Sequence, residues 1–219
     1  KGMPTVTTQW NDGKLIITQS DPFKRGLTWQ QSFLVDAIYI NKVENDGAEQ
    51  TRITTTTIPV DMQGVKKEIA LAKRPDYIVP NADGSGYGLF VFDNFDNIPL
   101  PTDDLRRFAL AMNMYENYLA HGIDAKSLSD TMHSWLKAEN NALIASQLVS
   151  YWGGAVSAMP DTDRHFQEQQ MWQEYRNATI ASVKQRLIRQ LYNTVSDESV
   201  TDSIYNVWAD KSDPLLSKT

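Results

Sequence analysis

Apolar and polar positions change rhythm once along this chain. Through residue 95 the apolar side chains come in short runs: "PTVTTQW", "KLIITQS", "SFLVDAIYINKV", "QTRITTTTI", "VKKEIAL", "YIVP" and "YGLFVFD". Each run has strand length and is bounded by turn residues. Asn11-Asp12-Gly13 joins the first two, and an Asp-Gly pair supplies the positive φ that a tight hairpin needs. "ENDGAE" at 44–49 repeats the device. From residue 103 onward prolines are few and apolar residues recur at helical spacing. In "DDLRRFALAMNMYENYLAHG", Leu105, Phe108, Ala109, Met112, Tyr115 and Leu119 form one stripe, with acidic residues at the start and Gly122 as the expected C-terminal cap. Further helices are predicted at about 126–138, 140–152, 163–193 and 197–210, with breaks at "WGGAV" and "SAMPDTD".

The predicted fold is therefore mixed all-β plus all-α and multidomain. Seven strands at regular spacing predict an immunoglobulin-like antiparallel β-sandwich over 1–95, without the disulfide of antibody domains. Residues 96–102 form a linker around Pro99 and Pro101, which stop both a continuing strand and an early helix. Residues 103–219 form an α-helical bundle or solenoid. Trp10 and Trp29 are expected between the sheets, with sugar stacking as the functional alternative, and Met112, Met114 and Met132 as core filling.

One glycine-rich stretch raises a question of chemistry. "PNADGSGYGLFVFD", residues 80–93, has the glycines of a phosphate-cradling loop, but a strand follows them instead of a helix, and no P-loop lysine is present. It is expected to be a turn feeding a strand.

Charge narrows the partners. The chain carries a net −6; residues 1–95 hold 10 basic and 11 acidic side chains, and residues 96–219 hold 11 and 16. Neither half has the basic excess that nucleic acid demands. Lys184, Arg186 and Arg189 in "VKQRLIRQ" read as one solvated helix face. No apolar stretch approaches membrane-spanning length, and "KGMPTVTTQW" is no signal peptide but looks like an internal cut. The absence of cysteine removes thiol chemistry without fixing a compartment.

Catalytic patterns are missing. His121, His133 and His165 lack H-E-x-x-H spacing. His165 and Glu168, one helical turn apart, read as a surface pair; His133 is expected beside Trp135, and His121 at a helix C-terminus. No G-x-S-x-G elbow occurs, and Asp103-Asp104 and Asp197-Glu198 read as helix-start residues. No residue is assigned a catalytic, cofactor-binding or metal-binding role.

Three segments, in order, resemble the C-terminal region of the aminopeptidase N family of zinc peptidases. "KGMPTVTTQWNDGKLIITQSDPF" places Gly2, Pro4, Leu15, Gln19 and Phe23 where that family opens its small β-sandwich. "PDYIVPNADGSGYGLFVFD" is similar to the closing strands, and "LRRFALAMNMYENYLAHGIDAKSLSDTMHSWLKAENN" to the first helices, including Glu116 and Glu139. "SFLVDAIYI" departs from the family in lacking a Trp and a Pro, and the chain stops at "PLLSKT", where the family's helical domain continues. The resemblance implies a non-catalytic fragment. Zinc, its ligands and the general base would belong to a preceding catalytic domain of the same protein, and the helices would wall a cavity admitting peptide substrates. An acidic wall would favour cationic peptides. The competing expectation is a stand-alone module that binds protein or glycan.

Overall fold

A computed structural model describes residues 2–45, 48–210 and 213, and has mixed architecture: two sheets of seven strands in all, followed by six helices. The strands are β1 (Thr5–Asn11), β2 (Lys14–Ser20), β3 (Gln31–Asn45), β4 (Ala48–Met62), β5 (Lys66–Ala70), β6 (Tyr77–Val79) and β7 (Leu89–Val91). One sheet has the order β5-β2-β1-β7 and the other β4-β3-β6. All pairs are antiparallel except β1 with β7, which run parallel, so the first sheet is not the purely antiparallel one predicted. The Asn11-Asp12-Gly13 turn is as expected: Asp12 and Gly13 both have positive φ. The tip of the "ENDGAE" turn lies outside the described residues.

Strand alternation places the core. Val6, Leu15, Ile17 and Phe90 from the first sheet and Phe33, Val35, Ala37, Ile58, Val60, Met62 and Ile78 from the second form one buried cluster. Phe33 and Phe90 meet edge to face at 4.9 Å. Trp10 and Trp29 are not part of it; both are half-buried.

The chain separates into two compact units, Lys1–Gly122 and Ile123–Thr219. The change of rhythm near 96–102 is thus not where compactness divides. Helix α1 (Asp104–Leu119) belongs with the strands because it buries a polar stripe against them. Asn113 Nδ2 donates to the carbonyls of Pro80 (3.0 Å) and Asn81 (3.3 Å), and Asn117 Nδ2 donates to that of Phe90 (2.7 Å). The predicted stripe is largely displaced: Leu105, Phe108 and Leu119 are exposed, whereas Leu110, Asn113, Met114 and Asn117 are buried. Apolar periodicity cannot register a helix face whose fit depends on two amides satisfying carbonyls before and within β7. At the C-terminus of α1 the left-handed residue is His121 (φ 61), and the N–H of Gly122 returns to the Asn117 carbonyl at 2.8 Å.

The second unit contains α2 (Ala125–Ala138), α3 (Ala142–Val156), α4 (Asp161–Asn177), α5 (Ala181–Thr194) and α6 (Glu198–Ala209). Two predicted boundaries shift. "WGGAV" lies inside α3, since Gly153 is small for close approach: a Cβ there would stand 2.4 Å from Gln190 Oε1 of α5. The long helix predicted at 163–193 breaks into α4 and α5 at Ala178, whose ψ of 125° is extended.

Helix starts follow the acidic signals. Asp103, Asp124 and Asp197 cap α1, α2 and α6, accepting from the N–H groups of Arg106, Ser127 and Val200. Hydrogen bonds from Ser127 hold the Asp124 carboxyl below its ordinary value of 3.8, and those from Ser199 and neighbouring groups do the same for Asp197. A depressed folded pKa stabilises above the unfolded value and is lost as pH falls through the folded one. Thermal melts should therefore drop as pH falls below about 4. Asp124→Ala should cost about 1 kcal/mol at pH 7 and flatten that acid slope; an unchanged slope would show that these caps do not carry it.

Candidate functional site

Asp36 stands in an apolar strand run, and an acid there requires a partner if its side chain points inward. Phe33, Val35 and Ala37 of β3 face the core, so Asp36 and Ile38 lie on the opposite face of the strand. Both are nonetheless buried, at 4% exposure each. Asp36 is satisfied twice: Oδ2 accepts from Arg106 Nη1 at 2.8 Å and Oδ1 from the Thr57 hydroxyl at 2.7 Å. Arg106 Nη1 also donates to Thr57 Oγ1 at 3.1 Å. The first turn of α1 delivers this arginine, its own N–H held by the Asp103 cap at 3.0 Å.

These residues border a cavity of about 450 Å³ within the first unit. Ile38, Val79, Pro99, Leu100 and Pro101 supply apolar lining; Asp36, Thr55, Asp103 and Arg106 supply polar groups. That volume falls within the ordinary range for small-ligand pockets. Among the described residues the Arg106 guanidinium donates only through Nη1, leaving Nε and Nη2 without protein acceptors.

The segment predicted as a linker is tied down beside this cavity. Ile98 is buried, the Tyr77 hydroxyl donates to the Asp96 carbonyl at 2.9 Å, and Arg107 Nη1 donates to the carbonyls of Pro101 and Thr102 at 3.3 and 2.6 Å. Pro99 and Pro101 end one periodicity and begin another while remaining part of the same unit.

Most amides around the glycines are committed within the protein and not to a phosphate. Gly84 N–H donates to the Asn81 carbonyl, Gly86 N–H to Asn81 Oδ1 at 2.7 Å, Tyr87 N–H to Gln31 Oε1 at 2.8 Å and Leu89 N–H to the Pro4 carbonyl at 2.9 Å. The strand β7 follows, as the sequence predicted, so a helix dipole is also missing there.

The three histidines have separate surroundings. His121 lies in the first unit and the other two in the second. His133 stacks on Trp152 instead of Trp135, with ring centroids 4.4 Å apart and an 11° interplanar angle. Its Nε2 meets Glu174 Oε1 at 2.8 Å, joining α2 to α4. Trp152 Nε1 donates to Gln167 Oε1 at 2.8 Å, and Gln167 Nε2 to Asp130 Oδ1 at 3.0 Å. A second cavity, about 310 Å³, opens beside Glu174 over Leu136, Val183 and Leu187.

His165 and Glu168 are not the surface pair predicted, because Glu168 is fully buried. Its carboxylate accepts from the Ser196 and Asp197 N–H groups at 3.0 and 2.8 Å and binds the loop before α6. Lys184 is also engaged, pairing with Asp213 at 2.7 Å. Among the described residues no three His, Cys, Asp or Glu side chains are grouped to hold a metal, and no helix is long and apolar enough to cross a membrane.

The Asp36–Arg106 site escaped the sequence reading because its partners lie 70 positions apart. The lone acid within "SFLVDAIYI" was the available signal. Trp10, considered for sugar stacking, borders a recess of about 70 Å³ with Arg74, Asp93 and Asn94. No known family model matches this chain, and no curated protein matches it.

Proposed function

We propose that this chain is the non-catalytic C-terminal region of a zinc-dependent aminopeptidase that removes N-terminal residues from peptides. The two sheets act as an immunoglobulin-like β-sandwich spacer, and the helices as a bundle walling the catalytic cavity. One observation carries the reading: the segments that bear the resemblance touch each other. "PNADGSGYGLFVFD" receives the Asn113 and Asn117 amides of "LRRFALAMNMYENYL", so two motifs that are loose in sequence form one packed unit. The order of strands before helices agrees with it.

Zinc in this reading belongs to the preceding catalytic domain, where it would activate the attacking water. The residues here would shape which peptides enter. The coding region upstream of Lys1 should encode H-E-x-x-H followed by a further Glu. Its absence would overturn the proposal and leave a protein- or glycan-binding module as the better reading, for which the Asp36–Arg106 cavity is the relevant feature.

A further inference from the structure

We propose that β4 and the adjoining cavity form a strand-addition site for an extended, uncharged peptide segment. The proposal is independent of any peptidase activity in a parent protein and rests on two features of the first unit that meet at the same residues.

The first feature is an open edge. β4 ends the order β4-β3-β6, so among the described residues its second side has no strand beside it. Its register with β3 runs from Gln31↔Met62 to Asn45↔Ala48 with no bulge. Among the described residues, no backbone hydrogen bond joins β4 to anything but β3. Natural edges are usually shortened, bulged or guarded by charge and proline. Between Ile53 and Thr57 this one carries none of those guards, and four of its five side chains are exposed.

The second feature is the pocket beside that edge. Ile53 and Thr55 of β4 line the 450 Å³ cavity, and Thr57 hydrogen-bonds Arg106 at its polar end. Peptide addition to an edge draws affinity from main-chain hydrogen bonds and selectivity from pockets that take alternate side chains. An incoming strand along Ile53–Thr57 would present one apolar side chain beside Ile53 and Thr55 at the rim of the cavity. The uncommitted Nε and Nη2 of Arg106 are suited to a main-chain carbonyl. Charge complementarity selects the class of peptide. Asp36 and Arg106 neutralise one another, Asp103 is engaged as the α1 cap and residues 53–57 are uncharged, so a charged side chain entering the cavity would give up water for groups already committed.

The test uses the whole chain and fluorescently labelled, acetylated, amidated pentapeptides of the form Thr-Thr-X-Thr-Thr, where X is Gly, Ala, Val, Leu or Phe. Polarisation should report binding at about 10–100 μM that tightens from Gly to Leu. Methylating alternate backbone nitrogens of the Leu peptide should weaken it at least about tenfold, as should Ile53→Lys or Thr55→Lys, which alter exposed positions. Amide exchange on β4 should slow when the Leu peptide is bound. Failure of all five peptides at about 1 mM, or equal binding of the methylated peptide, would overturn the proposal. So would a concentration-dependent dimer abolished by the same lysine variants without any peptide binding, which would assign the edge to a second copy.

Discussion

Gly88→Ala should destabilise the first unit by about 4 kcal/mol, combining backbone strain with an overpacked contact. Gly88 sits at φ 141°, where side-chain-bearing residues are rare, and an added Cβ would lie 2.7 Å from the Pro4 carbonyl oxygen. That oxygen cannot withdraw freely, because it accepts the Leu89 N–H at 2.9 Å where β1 and β7 begin their parallel pairing. Relief of the clash therefore requires β7 to shift, which disturbs the fully buried Phe90 and the carbonyl that receives Asn117. Gly13→Ala is the matched control. Its φ is 77°, yet nothing stands within 4 Å of the new Cβ, so only the conformational cost remains, about 1 kcal/mol. Urea denaturation of both variants measures the difference. Equal losses would mean that the close approach at Pro4 has no energetic weight.

The same loop explains what the sequence could disclose. Its strand-like alternation and its glycines correctly predict a turn followed by β7, since both signals are local. All seven strand runs have a counterpart strand for a similar reason, as do the acidic caps at Asp103 and Asp197. What resisted reading depends on partners distant in sequence. Glu168 looks like a surface carboxylate until the loop at Ser196 and Asp197 is folded onto it. Gly153 looks like a helix breaker until Gln190 occupies the space beside it. Asn113 and Asn117 look like exposed amides until the carbonyls at residues 80, 81 and 90 are brought above them. Glu168, Asn113 and Asn117 are polar yet buried because segments distant in sequence pair with their carboxylate or amide nitrogen, and Gly153 is fixed by a close approach. The candidate site belongs to this class: neither Asp36 nor Arg106 is informative alone.

Arg106→Leu should cost about 3–5 kcal/mol, because it leaves the Asp36 carboxylate buried with only the Thr57 hydroxyl as a donor. Asp36→Leu should cost less, about 1–2 kcal/mol, since the Arg106 side chain is 27% exposed and can turn its freed nitrogen toward water. The asymmetry is a consequence of burial, with the 5% exposed carboxylate side chain as the vulnerable partner. Combining the two substitutions should recover most of the loss of Arg106→Leu, because two apolar side chains then face Ile38 and Val79 without a stranded charge. Urea unfolding of the four proteins closes the cycle. Additive losses would show that the pair does not act as a unit. Recovery in the double variant would show that the ion pair is not needed for the first unit to fold, and binding of the Leu peptide to that same variant would then separate the contribution of the cavity's apolar lining from that of Arg106.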